Sequence, residues 1–133
     1  YAGHYYFRDF FYSDSGIMAC LIALNVFADM KKQGISVSRL IENISSYEST
    51  GEVNFKLERK QEARDAIRKH FLGREPVLKS VDFDGYRCDF SDWWFNVRLS
   101  NTEPYLRFIA EARDRQKLDQ VLAEARKIIE SFQ

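Results

Sequence analysis

Cysteine is scarce in this chain: Cys20 and Cys88 are the only two among 133 residues. They stand far apart and follow no framework spacing, so a disulfide scaffold is excluded. Histidine is equally rare, and His4 and His70 add nothing to the cysteines that resembles a zinc pattern. Both thiols read as reduced, buried small hydrophobes, which suits a cytoplasmic protein. Net charge is missing as well, with 20 Lys and Arg against 20 Asp and Glu, mixed along the chain. Without a basic field, nothing recruits nucleic acid or an anionic membrane from a distance. Long apolar runs are also absent. The longest is Ile17 to Leu24, resumed at Val26 to Ala28. It is too short to span a bilayer and lacks the flanks of a signal peptide. No internal repeat or low-complexity segment is visible.

What is present is enough apolar residue to build a core: 45% hydrophobic against 30% charged. The length suits one modest domain, or one domain and a piece of another. Aromatic residues make up 15% and favour sheets and well-filled cores. The chain does not open on Met, and the expectation is a fragment of a longer protein.

Residues 1–13 are dominated by aromatics, with Tyr5 to Phe7 a short strand and the rings expected to be buried. Asp14 or Ser15 caps a helix whose Ile17, Met18, Leu21, Ile22, Leu24, Val26, Phe27 and Met30 cover nearly all its faces. Such a helix, with Gly34 just past its end, is of the buried kind, yet 133 residues offer little to bury it on several sides, a second sign of a longer parent protein. Ser36 caps a shorter helix over 37–44. The small, polar run Ser45 to Gly51 marks a hinge or domain boundary near Gly51.

Beyond it the pattern changes. Residues 52–58 alternate as a strand, 59–72 form an amphipathic helix closed by Gly73, and Pro76 opens a strand through Val77, Val81 and Phe83. Asp84-Gly85 signals a hairpin, Tyr86, Cys88 and Phe90 return, and Trp93, Phe95, Val97 and Leu99 alternate with Trp94, Asn96, Arg98 and Ser100. Leu106, Phe108 and Ala110 follow, and Asp114 caps a last helix striped by Leu118, Val121, Leu122, Ala125, Ile128, Ile129 and Phe132. The reading is α+β: a four-stranded antiparallel sheet with two helices on one face, in the order β-α-β-β-β-α, preceded by a helical segment.

The stretch of greatest chemical interest is Arg98-Leu99-Ser100-Asn101-Thr102-Glu103-Pro104-Tyr105-Leu106-Arg107. Two guanidinium forks flank three short side-chain donors in a bend, which is what a phosphate monoester requires. The same residues also suit a polar hairpin loop that caps itself. Elsewhere, His4 is a candidate acid/base beside a sugar hydroxyl, because histidine titrates near neutrality. It also fits an ordinary histidine. His70 sits at helical spacing with Ile67 and Phe71 and reads as structural. Asp9 and Asp14 lack a third metal ligand, and the charged segment 58–69 reads as a solvated helix face.

Three motifs in order carry a resemblance that spans essentially the whole chain. Arg98-Leu-Ser-Asn-Thr-Glu-Pro, followed by Leu106-Arg107 and Glu111-Ala112, resembles the phosphate loop in the last domain of the α-D-phosphohexomutases. That family includes phosphomannomutase and phosphoglucomutase. Gly3-His4, running on to Asp14-Ser15-Gly16, is similar to the tail of the sugar-specificity motif G-E-x-S-G-H. Ser49-Thr50-Gly51-Glu52-Val53-Asn54 resembles the hinge into the last domain.

The resemblance implies four domains around one cleft. A phosphoserine in the first exchanges its phosphoryl group with a hexose 1- or 6-phosphate through a hexose 1,6-bisphosphate. Mg²⁺ is held by aspartates of the second domain, and none of these groups is expected to be bound by this fragment. Residues 1–50 correspond to the end of the third, sugar-reading domain. Residues 51–133 correspond to the fourth, of TATA-binding-protein-like fold. By resemblance Arg98, Ser100, Asn101 and Thr102, with Arg107 beside them, hold the non-transferring phosphate. Gly3 and His4 face the sugar, and His4 moves a proton. The implied partners are a mannose or glucose phosphate and the missing domains, with no nucleic acid and no membrane. Two departures stand out: the motif's Glu falls before Tyr1, and its Ser position is Ala2. A fragment with only the positioning end of phosphoryl transfer is expected to be inactive alone. The competing expectation is a free-standing module for phosphate or nucleic acid, against which the zero net charge argues.

Overall fold

The computed structural model describes residues 3–133 and divides after Ser45 into two compact units. Ala2, the departure from the sugar motif, lies outside the described residues.

In the first unit β1 (Tyr6–Phe7) pairs antiparallel with β2 (Ser13–Asp14) across a single 3₁₀ turn, Arg8–Phe10. Phe11 and Tyr12 close this bend at φ 55°, a left-handed conformation that bulky residues adopt rarely. The Ser15 hydroxyl caps α1 (Gly16–Lys32) by accepting from the Met18 amide at 3.2 Å. At the other end Ile35 N–H donates to the Met30 carbonyl and Gly34 N–H to that of Lys31, with Gly34 at φ 74°. This is the Schellman closure that only glycine adopts without strain. Ser36 caps α2 (Val37–Ile44) in the same manner as Ser15.

The apolar helix α1 has no buried residue, and Ile17 is 77% exposed, in keeping with how little the chain offers to bury it. Two expectations fail on and beside this helix. Cys20, carried on it, is exposed rather than buried. The aromatics of 5–12 are largely exposed too, Phe11 by 90%. The common cause is supply. The described part of this unit holds two helices and a two-stranded ribbon, too little surface to set against these side chains.

The second unit is α+β, with one core. Its elements are β3 (Glu48–Ser49), β4 (Val53–Lys56), α3 (Lys60–Leu72), β5 (Lys79–Asp82), β6 (Tyr86–Asp89), β7 (Trp93–Leu99), β8 (Tyr105–Ala112) and α4 (Arg115–Glu130). All pairings are antiparallel, in the order β3-β8-β7-β6-β5, with β4 also on β8. The sheet therefore has six strands rather than four. One of the extra strands has a physical origin in the edge. The long β8 pairs with β4 along its first half and with β3 along its second, and Gly51 at φ 62° breaks the edge between them. Thr50 bridges the break: its amide donates to the Ala110 carbonyl, and its hydroxyl accepts from the Ala110 amide at 2.9 Å.

Alternation sorts the strands into two faces. Phe55, Tyr86, Cys88, Trp93, Phe95, Val97, Leu106, Phe108, Ala110 and Ala112 point inward and are buried. They meet Ala63, Ile67 and Phe71 of α3, and Leu118, Val121, Ala125 and Ile129 of α4. Asp114 caps α4 by accepting from the Lys117 amide at 2.8 Å. The strand expected from Pro76 through Phe83 is shorter, and Phe83 is 86% exposed. The strand before it ends at Asp82, and Phe83 leads into the Asp84-Gly85 turn, away from the packed face. The other face of the sheet carries Arg87, Trp94, Asn96, Arg98, Tyr105 and Arg107, all partly exposed.

Candidate functional site

The candidate phosphate residues lie at one end of the β7–β8 pair. Arg98 and Arg107 are directly opposite partners in that pairing, so both project from the helix-free face. Two like charges so placed repel. A single carboxylate answers both: Glu52 Oε2 accepts from Arg98 Nη2 at 2.7 Å, and Glu52 Oε1 stands 3.4 Å from Arg107 Nη1. Asp84 and Glu103 flank the pair at 3.8 and 3.6 Å. Arg107 Nε is buried without a hydrogen-bond partner, as is Asn96 Oδ1 on the same face.

The loop between the strands is shaped by its carbonyls. The Ser100 amide donates to the Tyr105 carbonyl at 2.9 Å and closes the bend. Lys60 Nζ, at the start of α3, donates to the carbonyls of Ser100 and Glu103 at 2.9 and 2.8 Å. The Leu57 amide donates to the Pro104 carbonyl at 3.0 Å. Three loop carbonyls are thus drawn toward the β4–α3 side. Ser100 is buried, and its Oγ accepts from the Glu103 amide at 3.2 Å, which leaves its O–H free to donate. Asn101 and Thr102 are exposed at the tip. The second unit therefore gathers Arg98, Ser100, Asn101, Thr102 and Arg107 at one sheet end. Gly3 and His4 belong to the first unit.

There His4 Nδ1 lies 2.5 Å from Asp14 Oδ2, and Asp14 Oδ1 accepts from the Tyr5 amide at 2.9 Å. The bond from His4, then that from Tyr5, lowers the Asp14 carboxyl below its ordinary range. A neutral imidazole donating through Nδ1 carries its lone pair on Nε2, the state a general base requires. Gly3 precedes it at φ 68°.

Two site residues escaped sequence reasoning: Glu52 and Lys60. Lys60 carries a weak signal, because a cation in the first turn of a helix opposes the helix dipole and so wants another reason to be there. Glu52 has no local signal, since its partners are 46 and 55 residues away. Among the described residues no three His, Cys, Asp or Glu gather as metal ligands, so the residues present do not fit a magnesium site. No helix among them is long and apolar enough to cross a membrane.

The sequence profile of the phosphoglucomutase/phosphomannomutase C-terminal domain matches residues 52–128, and that of the alpha/beta/alpha domain III of the same proteins matches 1–47. The chain belongs to the phosphoglucomutase/phosphomannomutase family. It is 37% identical over 127 residues to a phosphomannomutase of Escherichia coli K12, covering 94% of this chain and 26% of that protein. It is 32% identical over 129 residues to a phosphomannomutase of Methanocaldococcus jannaschii, covering 96% and 27%. A protein of Xanthomonas campestris described as phosphohexose mutases is 35% identical over 113 residues, covering 84% and 24%. The chain thus spans about a quarter of the length of these relatives. A crystal structure of a phosphoglucomutase/phosphomannomutase family protein from Burkholderia thailandensis shares the fold, with a TM-score of 0.67 at 23% identity. That alignment covers 97% of this chain and 26% of the other.

Proposed function

We propose that this chain is the substrate-phosphate-holding end of a phosphohexomutase that interconverts hexose 1-phosphate and hexose 6-phosphate. The observation that carries this reading is the pairing of Arg98 and Arg107 on adjacent strands beside a loop of small donors. A phosphate dianion meets charge from the two guanidinium groups and short neutral donors from Ser100, Asn101 and Thr102. The forks sit on strands rather than on a mobile segment, which lowers the entropy lost on binding. In the intact protein this end grips the phosphate that does not react. His4, its ring tied down by Asp14, takes the proton of the sugar hydroxyl that attacks the phosphoryl group. The transferring phosphoserine and magnesium belong to the parts of the protein before this chain, which alone has no phosphoryl donor and no activity. Its substrate is a mannose or glucose phosphate, and its compartment is the cytoplasm.

Titration of the chain with mannose 1-phosphate, followed by amide shifts, tests the reading. Shifts confined to 98–107 and the flanking strand ends support it. Shifts elsewhere, or none at millimolar ligand, refute it.

A further inference from the structure

We infer that Glu52 is the positioning residue of the double-guanidinium site, holding Arg98 and Arg107 side by side in the geometry that a phosphate meets. The inference rests on the phosphate-holding role proposed above for this loop and adds a residue to it.

Arg98 and Arg107 are locked opposite each other by strand register, so their backbones do not move apart to relieve repulsion. Only their side chains have that freedom. Left alone, two long guanidinium stems splay toward water and lose the shared orientation that bidentate recognition needs. Glu52 prevents this with one oxygen for each fork, at 2.7 and 3.4 Å. It uses little of their donor capacity. A guanidinium carries five N–H groups, and Glu52 takes one from Arg98 through Nη2.

Asp84 and Glu103 do not share this role. They stand beyond hydrogen-bond distance of the forks, and their side chains are 72% and 52% exposed, free to turn away from an incoming anion. Glu52 is held more closely, by the 2.7 Å bond from Arg98 and with a side chain 38% exposed. It follows Gly51 at the break in the edge strand, and the next residue, Val53, is already paired to Phe108. Of the three carboxylates, that of Glu52 is thus the one hydrogen-bonded to a fork, as expected of a group that orients donors.

Glu52→Gln, Glu52→Asp and Glu52→Ala in this chain, titrated with inorganic phosphate and with mannose 1-phosphate, test the assignment. Arginine Nε–H resonances are recorded alongside, and thermal unfolding checks the fold. The expected result is about tenfold weaker binding of both probes by Glu52→Gln. The Arg98 and Arg107 Nε–H signals broaden, and Glu52→Asp recovers part of the affinity. Undiminished or tighter binding by a folded Glu52→Gln chain overturns the assignment alone, because it makes Glu52 a bystander or a competitor. A wild-type chain that binds neither probe overturns the phosphate-holding role, and this assignment with it.

Discussion

Arg98 and Arg107 face each other across the β7–β8 pair, and the two positive charges share one carboxylate, that of Glu52. Arg98 makes the shorter contact and is the more exposed of the two. Arg98→Ala should weaken binding of a hexose phosphate roughly ten- to hundredfold, the value of about 1.5–3 kcal/mol for hydrogen bonds to a charged partner. Arg98→Lys should recover little of it, since an ammonium offers no fork. Calorimetric titration of both variants measures this, and wild-type affinity in Arg98→Ala removes the residue from the site.

Lys60 holds the loop by two of its carbonyls. Lys60→Met keeps the aliphatic stem and deletes both bonds. The expected outcome is faster amide exchange across Asn101 to Glu103 and a loss of about 1 kcal/mol in stability. Hydrogen exchange followed residue by residue reads the first, and denaturant unfolding the second. Unchanged exchange in the loop shows that strand register alone shapes it.

Gly85 sits in the β5–β6 turn at φ 101°, and a Cβ there would lie 2.6 Å from Arg98 Cβ and 2.7 Å from Asn96 Oδ1. Gly85→Ala combines a backbone that L residues avoid with a clash against β7. The cost should be about 2–4 kcal/mol, the sum of positive-φ strain and overpacking. Urea unfolding measures it. Because the clash falls on Arg98 itself, phosphate affinity should drop in the same variant.

Glu75 links the sheet to α4, accepting from Lys117 Nζ at 2.5 Å and from Trp93 Nε1 at 3.1 Å. Burial alone would raise its carboxyl, but the bonds from Lys117 and Trp93 outweigh it and bring it below its ordinary value of 4.5. The folded state therefore favours the charged form. The stabilisation is full above that value and is lost as pH falls through the lowered one. Acid unfolding of wild type and Glu75→Gln should show a shallower pH dependence in the variant. At neutral pH the variant should be about 1–2 kcal/mol less stable. Parallel acid curves refute the assignment.

The legible parts of the fold were those with local chemistry. Ser15, Ser36 and Asp114 announced their helices because a cap is a contact three residues long. Trp93 to Leu99 announced both its strand and the outward aim of Arg98, because register follows from alternation. Phe83 misled because it continues the apolar pattern of a strand that the Asp84-Gly85 turn has already ended. The rings of 5–12 misled differently. An apolar side chain states what it prefers, but a partner is needed to bury it, and the pattern does not supply one. At the site, the loop donors were readable from composition. Glu52 and Lys60 were not, because a lone charge acquires meaning only from what the sheet sets beside it.

The broken edge strand has a mechanical consequence. Glu48 and Ser49 pair with Ala112 and Glu111, and Thr50 bonds both sides of Ala110, before the chain reaches Glu52. A pull on the backbone from the N-terminal side passes through these bonds into β8, as in a cable clamped ahead of its connector. Glu52 lies beyond the clamp, while the two arginines ride on the β7–β8 pair that takes the load. Load on the backbone ahead of Glu52 therefore enters the sheet along Ala110 to Ala112, on the strand that carries Arg107.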